Sequence, residues 1–310
     1  MKYSKISVPV LLFFINITLS QNFLEQEISI TEYVDGSLIL PEGKVESIVI
    51  IIPGSGPTDR NGNQNFLKSN VLKKFAEGLA SESIASFRYD KRVIKQIKQG
   101  VLQQDILFED FIKDAIATVV YFKNSNDYKN VFVAGHSQGS LVAMIAVTES
   151  NADGFISLAG VGNSIDKVLG EQINLMAPEL SKETESILST IKEGKTADSI
   201  PPALNSIFYK DVQPFLSSWM QYSPKEILNT LEVPALIVGG GKDLQVSLAE
   251  TELLKIAKED AQFLLIDNMN HVLTSIESGR LENSKSYNEP HRSLAEGLIS
   301  GVVSFIKAQE

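Results

Sequence analysis

Residues 131–148, VFVAGHSQGSLVAMIAVT, carry the clearest structural signal in the chain. Val131 to Ala134 form an unbroken apolar run, which is typical of a strand covered on both faces in a parallel sheet. The run leads into GHSQG at residues 135–139, a match to G-x-S-x-G, and then into small and apolar residues with helical periodicity. The stretch therefore predicts a buried strand, a tight turn that carries Ser137, and a helix.

Similar strand and helix patterns alternate on both sides of this unit. The further buried-strand patterns are Ile48 to Ile52, Ile84 to Arg88, Phe155 to Ala159, Ala235 to Val238 and Phe263 to Ile266. The helical patterns are Asn70 to Ser83, Asp105 to Phe122, Gly139 to Glu149, Ser247 to Lys258 and Pro290 to Lys307. Before them, Glu27 to Val34 and Ser37 to Leu40 flank an Asp35-Gly36 turn and predict a hairpin. The alternation predicts an α/β fold with a doubly wound, mostly parallel sheet.

Residues 162–230 interrupt the alternation. They contain no convincing strand, but they show several amphipathic helical patterns punctuated by prolines, among them Pro178 and Pro224. The strand patterns resume at Pro234, so we expect a helical lid inserted into a single core that comprises residues 21–161 and 231–310.

The first 20 residues have the layout of a secretory signal peptide. Lys2 and Lys5 precede an apolar run that extends to Leu19, and small residues come just before Gln21. The run is shorter than the roughly 20 residues that a bilayer span needs, and it contains Pro9. We therefore expect cleavage after residue 20, export to the periplasm or the medium, and no stable membrane span afterwards. An uncleaved anchor or a buried N-terminal strand is the alternative.

Composition excludes several classes of function. The chain has 28 Lys and Arg against 38 Asp and Glu, a formal net charge of -10. Binding to a phosphate backbone needs clustered cations, so a nucleic-acid partner is not expected. The chain has no Cys, which excludes disulfides, thiolate nucleophiles and Cys-ligated metals. His136, His271 and His291 are the only histidines, so His-dependent chemistry has few candidates.

Ser137 is a candidate nucleophile if a base can take its proton. Gly135 and Gly139 would leave room around the strained turn that such a serine needs. His271 follows the strand pattern Phe263 to Ile266, at the edge where open α/β sheets build their sites, and is the predicted base. A spectator serine on a glycine-rich turn and a surface or capping histidine are the plain alternatives.

The other two histidines fit the role of base less well. His291 follows Pro290 at the start of the last helical pattern, where it would face solvent. His136 lies within the turn itself, where packing or hydrogen bonding suits it better.

A carboxylate should orient the base from another strand end. Asp243 fits this role, because the strand pattern that ends at Val238 is followed by three glycines at residues 239–241, which let the chain turn sharply. Asp267 is the second candidate, but it is close in sequence to His271. A purely turn-forming role for Asp243 is the alternative.

The negative oxygen of an acyl-transfer intermediate needs two backbone N–H donors. Gln138 supplies one because it begins the helix after Ser137. Ser55, between Gly54 and Gly56 in the loop PGSGP that follows Ile48 to Ile52, is the second candidate. A phosphate-binding loop is not expected, because neither G-x-x-x-x-G-K nor an immediate helix start follows.

The order Ser137, Asp243, His271 on an alternating α/β pattern resembles the α/β-hydrolase superfamily over nearly all of the mature chain. PGSGPTDRNGN at residues 53–63 and RYDKR at residues 88–92 resemble a group of bacterial carboxylesterases whose oxyanion loop reads G-S-G-P-x-D-R-[DN]-G-N. Glycines and a serine usually follow that second motif, whereas Val93-Ile94-Lys95-Gln96 follow it here. The loop after Arg92 is therefore expected to be reshaped. Asp59, Arg60 and Asp90 are expected to form a polar cluster that shapes the oxyanion loop, with direct substrate contact as the alternative.

The resemblance implies a serine hydrolase, a carboxylesterase that cleaves small to medium acyl esters without a metal or organic cofactor. Apolar and aromatic lid residues, Phe215, Trp219 and Tyr222 among them, are candidates for the acyl pocket, with ordinary packing between lid helices as the alternative. A peptidase or amidase on the same fold is the second reading, and an exported binding protein without activity is the third. The sequence does not indicate an oligomeric state.

Overall fold

The computed structural model describes residues 23–100 and 106–310, and the predicted signal peptide lies outside these ranges. One eight-stranded sheet runs through the described part of the chain in the order β1-β2-β4-β3-β5-β6-β7-β8. Its strands are β1 (Phe23–Ser29), β2 (Asp35–Pro41), β3 (Ser47–Ile52), β4 (Ala85–Tyr89), β5 (Asn130–His136), β6 (Gly154–Leu158), β7 (Ala235–Gly240) and β8 (Gln262–Ile266).

The six strands from β3 to β8 are parallel, and β1 and β2 add an antiparallel edge. The predicted doubly wound, mostly parallel sheet is therefore confirmed. β4 pairs with one edge of β3 and β5 pairs with the other, so the strand order reverses its direction at β3. Ligand sites in such sheets form at the carboxyl ends of the strands that flank this switch point. The loop after Ile52 and the turn at Ser137 both lie there, because Ile52 pairs with Gly135.

Helices cover both faces of the sheet. The helices of the α/β alternation are α1 (Val71–Ser81), α2 (Arg92–Lys98), α3 (Phe108–Ser125), α4 (Gln138–Ser150), α10 (Leu248–Ala257), α11 (Arg280–Ser286) and α12 (Leu298–Lys307). Alternate residues of β3 face opposite sides, as the pleat requires. Ile48 and Ile50 pack with α3 and α4, whereas Val49 and Ile51 pack with α1 and α12.

Short helices fill the chain between β6 and β7. They are α5 (Ile165–Met176), α6 (Ser181–Lys192), α7 (Asn205–Phe208), α8 (Gln213–Trp219) and α9 (Pro224–Asn229), with 3-10 turns at Pro178–Leu180, Pro202–Leu204 and Lys210–Val212. Their buried side chains, such as Leu216 and Leu228, belong to the same apolar cluster as α3 and α4. Trp219 of α8 stacks on Phe108 of α3, with ring centroids 5.6 Å apart.

The predicted Asp35-Gly36 turn is wrong. Both residues lie in β2, and the chain reverses earlier, where Val34 N donates to Thr31 Oγ1 over 3.1 Å. Gly36 is needed in the strand because a Cβ there would lie 2.4 Å from the Phe87 ring. The glycine therefore serves packing against β4 and not the turn.

The C-terminal part of the chain also differs from the predicted helix at Pro290 to Lys307. Only Leu298–Lys307 is helical, and His291 lies in an exposed turn before it. Arg292 bonds Glu282 and the Ser275 carbonyl, and a β-bridge joins Leu294 to Thr274. These contacts hold the segment against the loop after β8 and divert its backbone from the helix. No helix of the described residues is long and apolar enough to cross a membrane.

Candidate active site

Ser137 occupies a strained turn between β5 and α4. Its backbone has φ 54° and ψ -121°, a conformation that non-glycine residues rarely adopt. A Cβ on Gly135 would lie 2.1 Å from the Gly139 carbonyl oxygen, and one on Gly139 would lie 2.4 Å from the Ile52 carbonyl oxygen. No other residue type fits at these two positions, so the glycines allow the sharp turn that presents Ser137 at the end of β5.

Asp243 and His271 meet above the ends of β7 and β8. Lys242 N donates to the Met269 carbonyl over 2.9 Å, which joins the two loops. His271 Nδ1 then lies 2.8 Å from Asp243 Oδ2, and the two side chains are only 5% and 2% exposed. Asp243 Oδ1 accepts hydrogen bonds from the backbone N–H groups of Gln245 and Val246. The carboxylate is thus held as an acceptor, which fixes the tautomer with hydrogen on Nδ1 and leaves Nε2 free to accept a proton.

Ser137 and His271 line one cavity of about 240 Å³ together with Ser55. Among the hydrogen bonds of the described residues, none joins Ser137 Oγ to His271. Catalytic hydrogen bonds are often long without substrate and shorten in the substrate complex, so a shared cavity is the relevant geometry here. Asp267 and His291, the other candidates for acid and base, are exposed and do not line this cavity.

His136 holds the loop that carries His271 through a hydrogen bond. Its Nε2 lies 2.8 Å from the His271 carbonyl oxygen, so Nε2 carries the hydrogen and donates. Burial, reinforced by the nearby His271, lowers the pKa of His136 to about 4. His136 therefore stays neutral at pH 7 and acts as a hydrogen-bonding residue, as expected for its place inside the turn.

The loop after β3 lies against the Ser137 turn. A Cβ on Gly54 would lie 3.3 Å from Ser137 Cβ, so the loop backbone reaches van der Waals distance of the serine. The Ser55 carbonyl oxygen accepts hydrogen bonds from Thr58 Oγ1 and Gln64 Nε2, at 2.8 and 2.9 Å. Neither Ser55 N nor Gln138 N donates to a described residue, so both N–H groups remain available to a ligand.

The polar cluster predicted for Asp59, Arg60 and Asp90 divides into two parts. Arg60 binds both Asp90 oxygens, through its backbone N–H at 2.8 Å and its guanidinium at 3.0 Å, and it also bonds Glu27. Asp59 Oδ1 instead accepts the N–H groups of Asn61 and Asn63 and closes a separate turn. Arg60 therefore ties the loop after β3 to the end of β4, while Asp59 shapes residues 59–63.

Lys91 is a site residue to which sequence reasoning assigned no role. It follows the end of β4 and is only 5% exposed, and its Nζ donates to the Gly54 carbonyl and to Gln138 Oε1. The signal in the sequence is a lysine just past a buried strand, inside the motif at residues 88–92. The reshaped loop expected after Arg92 is the short helix α2.

A larger cavity of about 630 Å³ is lined in part by Ser55 and Gly56 of the loop after β3. Phe215 and Trp219 of α8 line it, with Phe111, Ser55 and Gln138. Tyr222, predicted for the same pocket, is not among the lining residues. Its ring packs on Phe108, and its hydroxyl donates to Glu109 Oε1 over 3.2 Å, which directs the side chain elsewhere.

No group of three or more His, Asp or Glu side chains in the described ranges is arranged to hold a metal ion. The arrangement at the carboxyl ends of the strands instead offers a serine on a strained turn, an imidazole oriented by a carboxylate, and two backbone N–H groups without a partner among the described residues.

Comparison with known proteins supports the same architecture. No family model matches the chain. The chain is 27% identical to esterase EstD of Thermotoga maritima over 261 residues, which are 82% of this chain and 61% of that protein. It thus spans less than two thirds of the length of this curated relative.

Solved structures agree over almost the whole chain. Est1E of Butyrivibrio proteoclasticus superposes with a TM-score of 0.56 at 16% identity, covering 92% of this chain and 98% of that one. The Pyrococcus furiosus esterase Pf2001 gives a TM-score of 0.54 at 16% identity and covers 99% of both chains. The sheet order, the flanking helices and these superpositions together show that the chain has the α/β-hydrolase fold.

Proposed function

We propose that this protein is a serine carboxylesterase that cleaves esters of small to medium acyl groups. The observation that carries the proposal is the hydrogen bond between Asp243 and His271, whose ring lines the same cavity as the strained Ser137. The 27% identity to an esterase over most of this chain supports the same activity.

The proposed reaction begins with attack of Ser137 Oγ on the ester carbonyl carbon. His271 Nε2 takes the serine proton, and the Asp243 carboxylate stabilises the imidazolium that results. The Ser55 and Gln138 N–H groups bind the negative oxygen of the tetrahedral intermediate. His271 then protonates the leaving alcohol. In the second half of the reaction His271 takes a proton from water, which attacks the acyl-enzyme, and the proton returns to Ser137 Oγ as the carboxylic acid leaves.

The two cavities suggest how the ester lies. Ser55 and Gly56 line both cavities, so the oxyanion loop forms the wall between them. The larger cavity is lined by Phe111, Phe215 and Trp219 and suits an acyl chain. The smaller cavity is lined by polar groups that include Gln64 and Tyr287, and it suits the alcohol. The volume of about 630 Å³ falls in the usual range of small-molecule sites and favours small to medium acyl groups.

We further propose that the protein is bacterial and is exported after removal of residues 1–20. The charged and apolar pattern of those residues supports export. N-terminal sequencing of the exported chain tests the cleavage site, and a chain that still begins at Met1 would contradict it.

Hydrolysis of p-nitrophenyl esters from acetate to decanoate tests the activity. Wild-type protein should hydrolyse them, and Ser137→Ala and His271→Ala should each lose about 10³-fold or more in kcat, since both are members of one catalytic unit. His291→Ala is the matched control, because His291 is exposed and should retain wild-type turnover. Equal rates for wild type and Ser137→Ala would refute the proposal. Activity on aminoacyl-nitroanilides alone would favour a peptidase.

A further inference from the structure

Lys91 is a buried cation for which the described residues provide no carboxylate. Its Nζ donates to the Gly54 carbonyl over 3.0 Å and to Gln138 Oε1 over 2.8 Å, and it lies 4.1 Å from the centroid of the Phe111 ring. Burying an ammonium group without an opposite charge is costly, and an apolar side chain of similar length would avoid that cost. The position of Lys91 therefore calls for a functional explanation.

The first hydrogen bond of Lys91 is made to the peptide between Gly54 and Ser55. The carbonyl that accepts from Lys91 and the N–H of Ser55 belong to this one planar unit, and the described residues contain no cis peptide bond. In a trans peptide the C=O and N–H point in opposite directions. By holding the carbonyl, Lys91 aims the Ser55 N–H away from itself, and its positive charge polarises the peptide so that the N–H becomes a stronger donor.

The second hydrogen bond of Lys91 is made to Gln138, which follows Ser137. The Gln138 side chain accepts from Lys91, and its backbone N–H begins α4 without a partner among the described residues. The Lys91 amine thus contacts the Gly54–Ser55 peptide through the Gly54 carbonyl and Gln138 through its side chain, and the N–H groups of Ser55 and Gln138 are the proposed oxyanion donors. Thr58 and Gln64 hold the Ser55 carbonyl independently, so Lys91 supplies the constraint on the other side of Ser55.

We propose that Lys91 is a positioning residue that aligns and polarises the Ser55 and Gln138 N–H groups for the negative oxygen of the tetrahedral intermediate. This inference rests on the proposed esterase activity. It assigns to Lys91 no contact with the reacting atoms, since its effect passes through the Gly54–Ser55 peptide and the Gln138 side chain.

The aligning part of this role does not depend on the protonation state of Lys91. Burial lowers the pKa of Lys91 to about 7. A neutral amine still has two N–H donors, one for Gly54 and one for Gln138. Alignment of the donors therefore persists on both sides of neutral pH, and only the polarising charge is lost at high pH.

Lys91→Met tests the inference, because it keeps the apolar stem and removes the donors. Loss of one oxyanion donor costs about 10²–10³ in kcat, so misalignment should lower kcat by roughly 10- to 100-fold with KM within about threefold of wild type. The specific readout is the rate ratio between a p-nitrophenyl ester and the corresponding thionoester. Sulfur is a poor hydrogen-bond acceptor, so the thionoester gains little from the donors, and the ratio should fall about tenfold in the variant.

Lys258→Met is the matched control. Lys258 is also buried, and away from the site its Nζ donates to the Leu231 carbonyl over 2.9 Å and pairs with Asp260. This variant should lower the melting temperature and leave the oxoester to thionoester ratio unchanged. A Lys91→Met protein with a shifted melting temperature and the wild-type ratio would overturn the proposal.

Gln138→Met provides a second test that leaves Lys91 in place. It removes the side-chain acceptor of Lys91 and keeps the Gln138 backbone N–H. Both kcat and the oxoester to thionoester ratio should therefore fall, by a smaller factor than in Lys91→Met. If Lys91→Met does not fold, an unchanged ratio in Gln138→Met overturns the proposal. Failure of the esterase proposal is a separate result, because Ser137→Ala would then equal wild type on every ester.

Discussion

At the level of single residues, His136 should make the stability of the protein sensitive to acid. Its pKa in the folded chain is lowered to about 4 by burial and by His271, whereas in the unfolded chain it takes up a proton near pH 6.5. Between these values the unfolded state binds more protons, so this contribution to stability is lost as the pH falls. When the pH is lowered from 7 to 4.5, the free energy of unfolding of wild type should therefore fall by about 2 kcal/mol more than that of His136→Phe. Urea denaturation at both pH values measures this, and equal falls would contradict the burial of a neutral imidazole.

Single residues also show how far the sequence alone leads. Ser137 was predicted from the G-x-S-x-G turn between a strand and a helix, and Asp243 and His271 from the rule that sites in open α/β sheets form at the carboxyl ends of strands. The rule can be applied to this sequence because each of these residues follows a strand that its apolar run makes recognisable. Lys91 follows such a strand as well, but a lone lysine is normally solvated, and only the structure shows that Gly54 and Gln138 enclose it. The sequence thus indicates which residues reach the site but not which of them contact each other.

At the level of elements, α8 should control the length of acyl chain that the protein accepts. Phe215 and Trp219 lie one helical turn apart and line the cavity of about 630 Å³, whereas Leu216 turns into the core. Phe215→Ala should lengthen the cavity and move the optimum of kcat/KM in a p-nitrophenyl ester series toward longer acyl chains. Leu216→Ala is the control on the same helix: it should cost about 2–5 kcal/mol of stability and leave the optimum unchanged. An unchanged optimum in Phe215→Ala would show that the acyl chain lies elsewhere.

The elements that the sequence predicted well are those fixed by local periodicity. The strand patterns at Ile48 to Ile52 and Ala235 to Val238 correspond to β3 and β7 within two residues. Where the structure differs from the elements predicted from the sequence, long-range contacts are the cause. The Phe87 ring requires a glycine inside β2, and bonds of Arg292 to Glu282 and Ser275 hold the chain before α12 out of a helix. The helix α2 was missed because it has only seven residues, too few to show a clear helical period.

At the level of the whole molecule, the sheet and the helices between β6 and β7 form one packed body. The apolar cluster on one face of the sheet includes Ile50 and Val133 from the strands together with Phe208 and Leu228 from the helical segment. A lid that only covered the site would not share buried side chains with the sheet face in this way. We therefore expect the segment of residues 162–230 to be part of the folding unit and not to unfold by itself.

Trp219 allows a direct test of this cooperativity because it is the only tryptophan in the chain. It lies in α8 and stacks on Phe108 of α3 at an interplanar angle of 5°, so its fluorescence reports on the contact between the helical segment and the core. Far-UV circular dichroism reports on all helices and strands. In urea the two signals should change with the same midpoint, as a single cooperative transition requires. In Phe108→Ala, which removes the stacking partner, both midpoints should fall together to a lower urea concentration. A wild-type protein whose fluorescence changes first would instead show that residues 162–230 open as an independent lid.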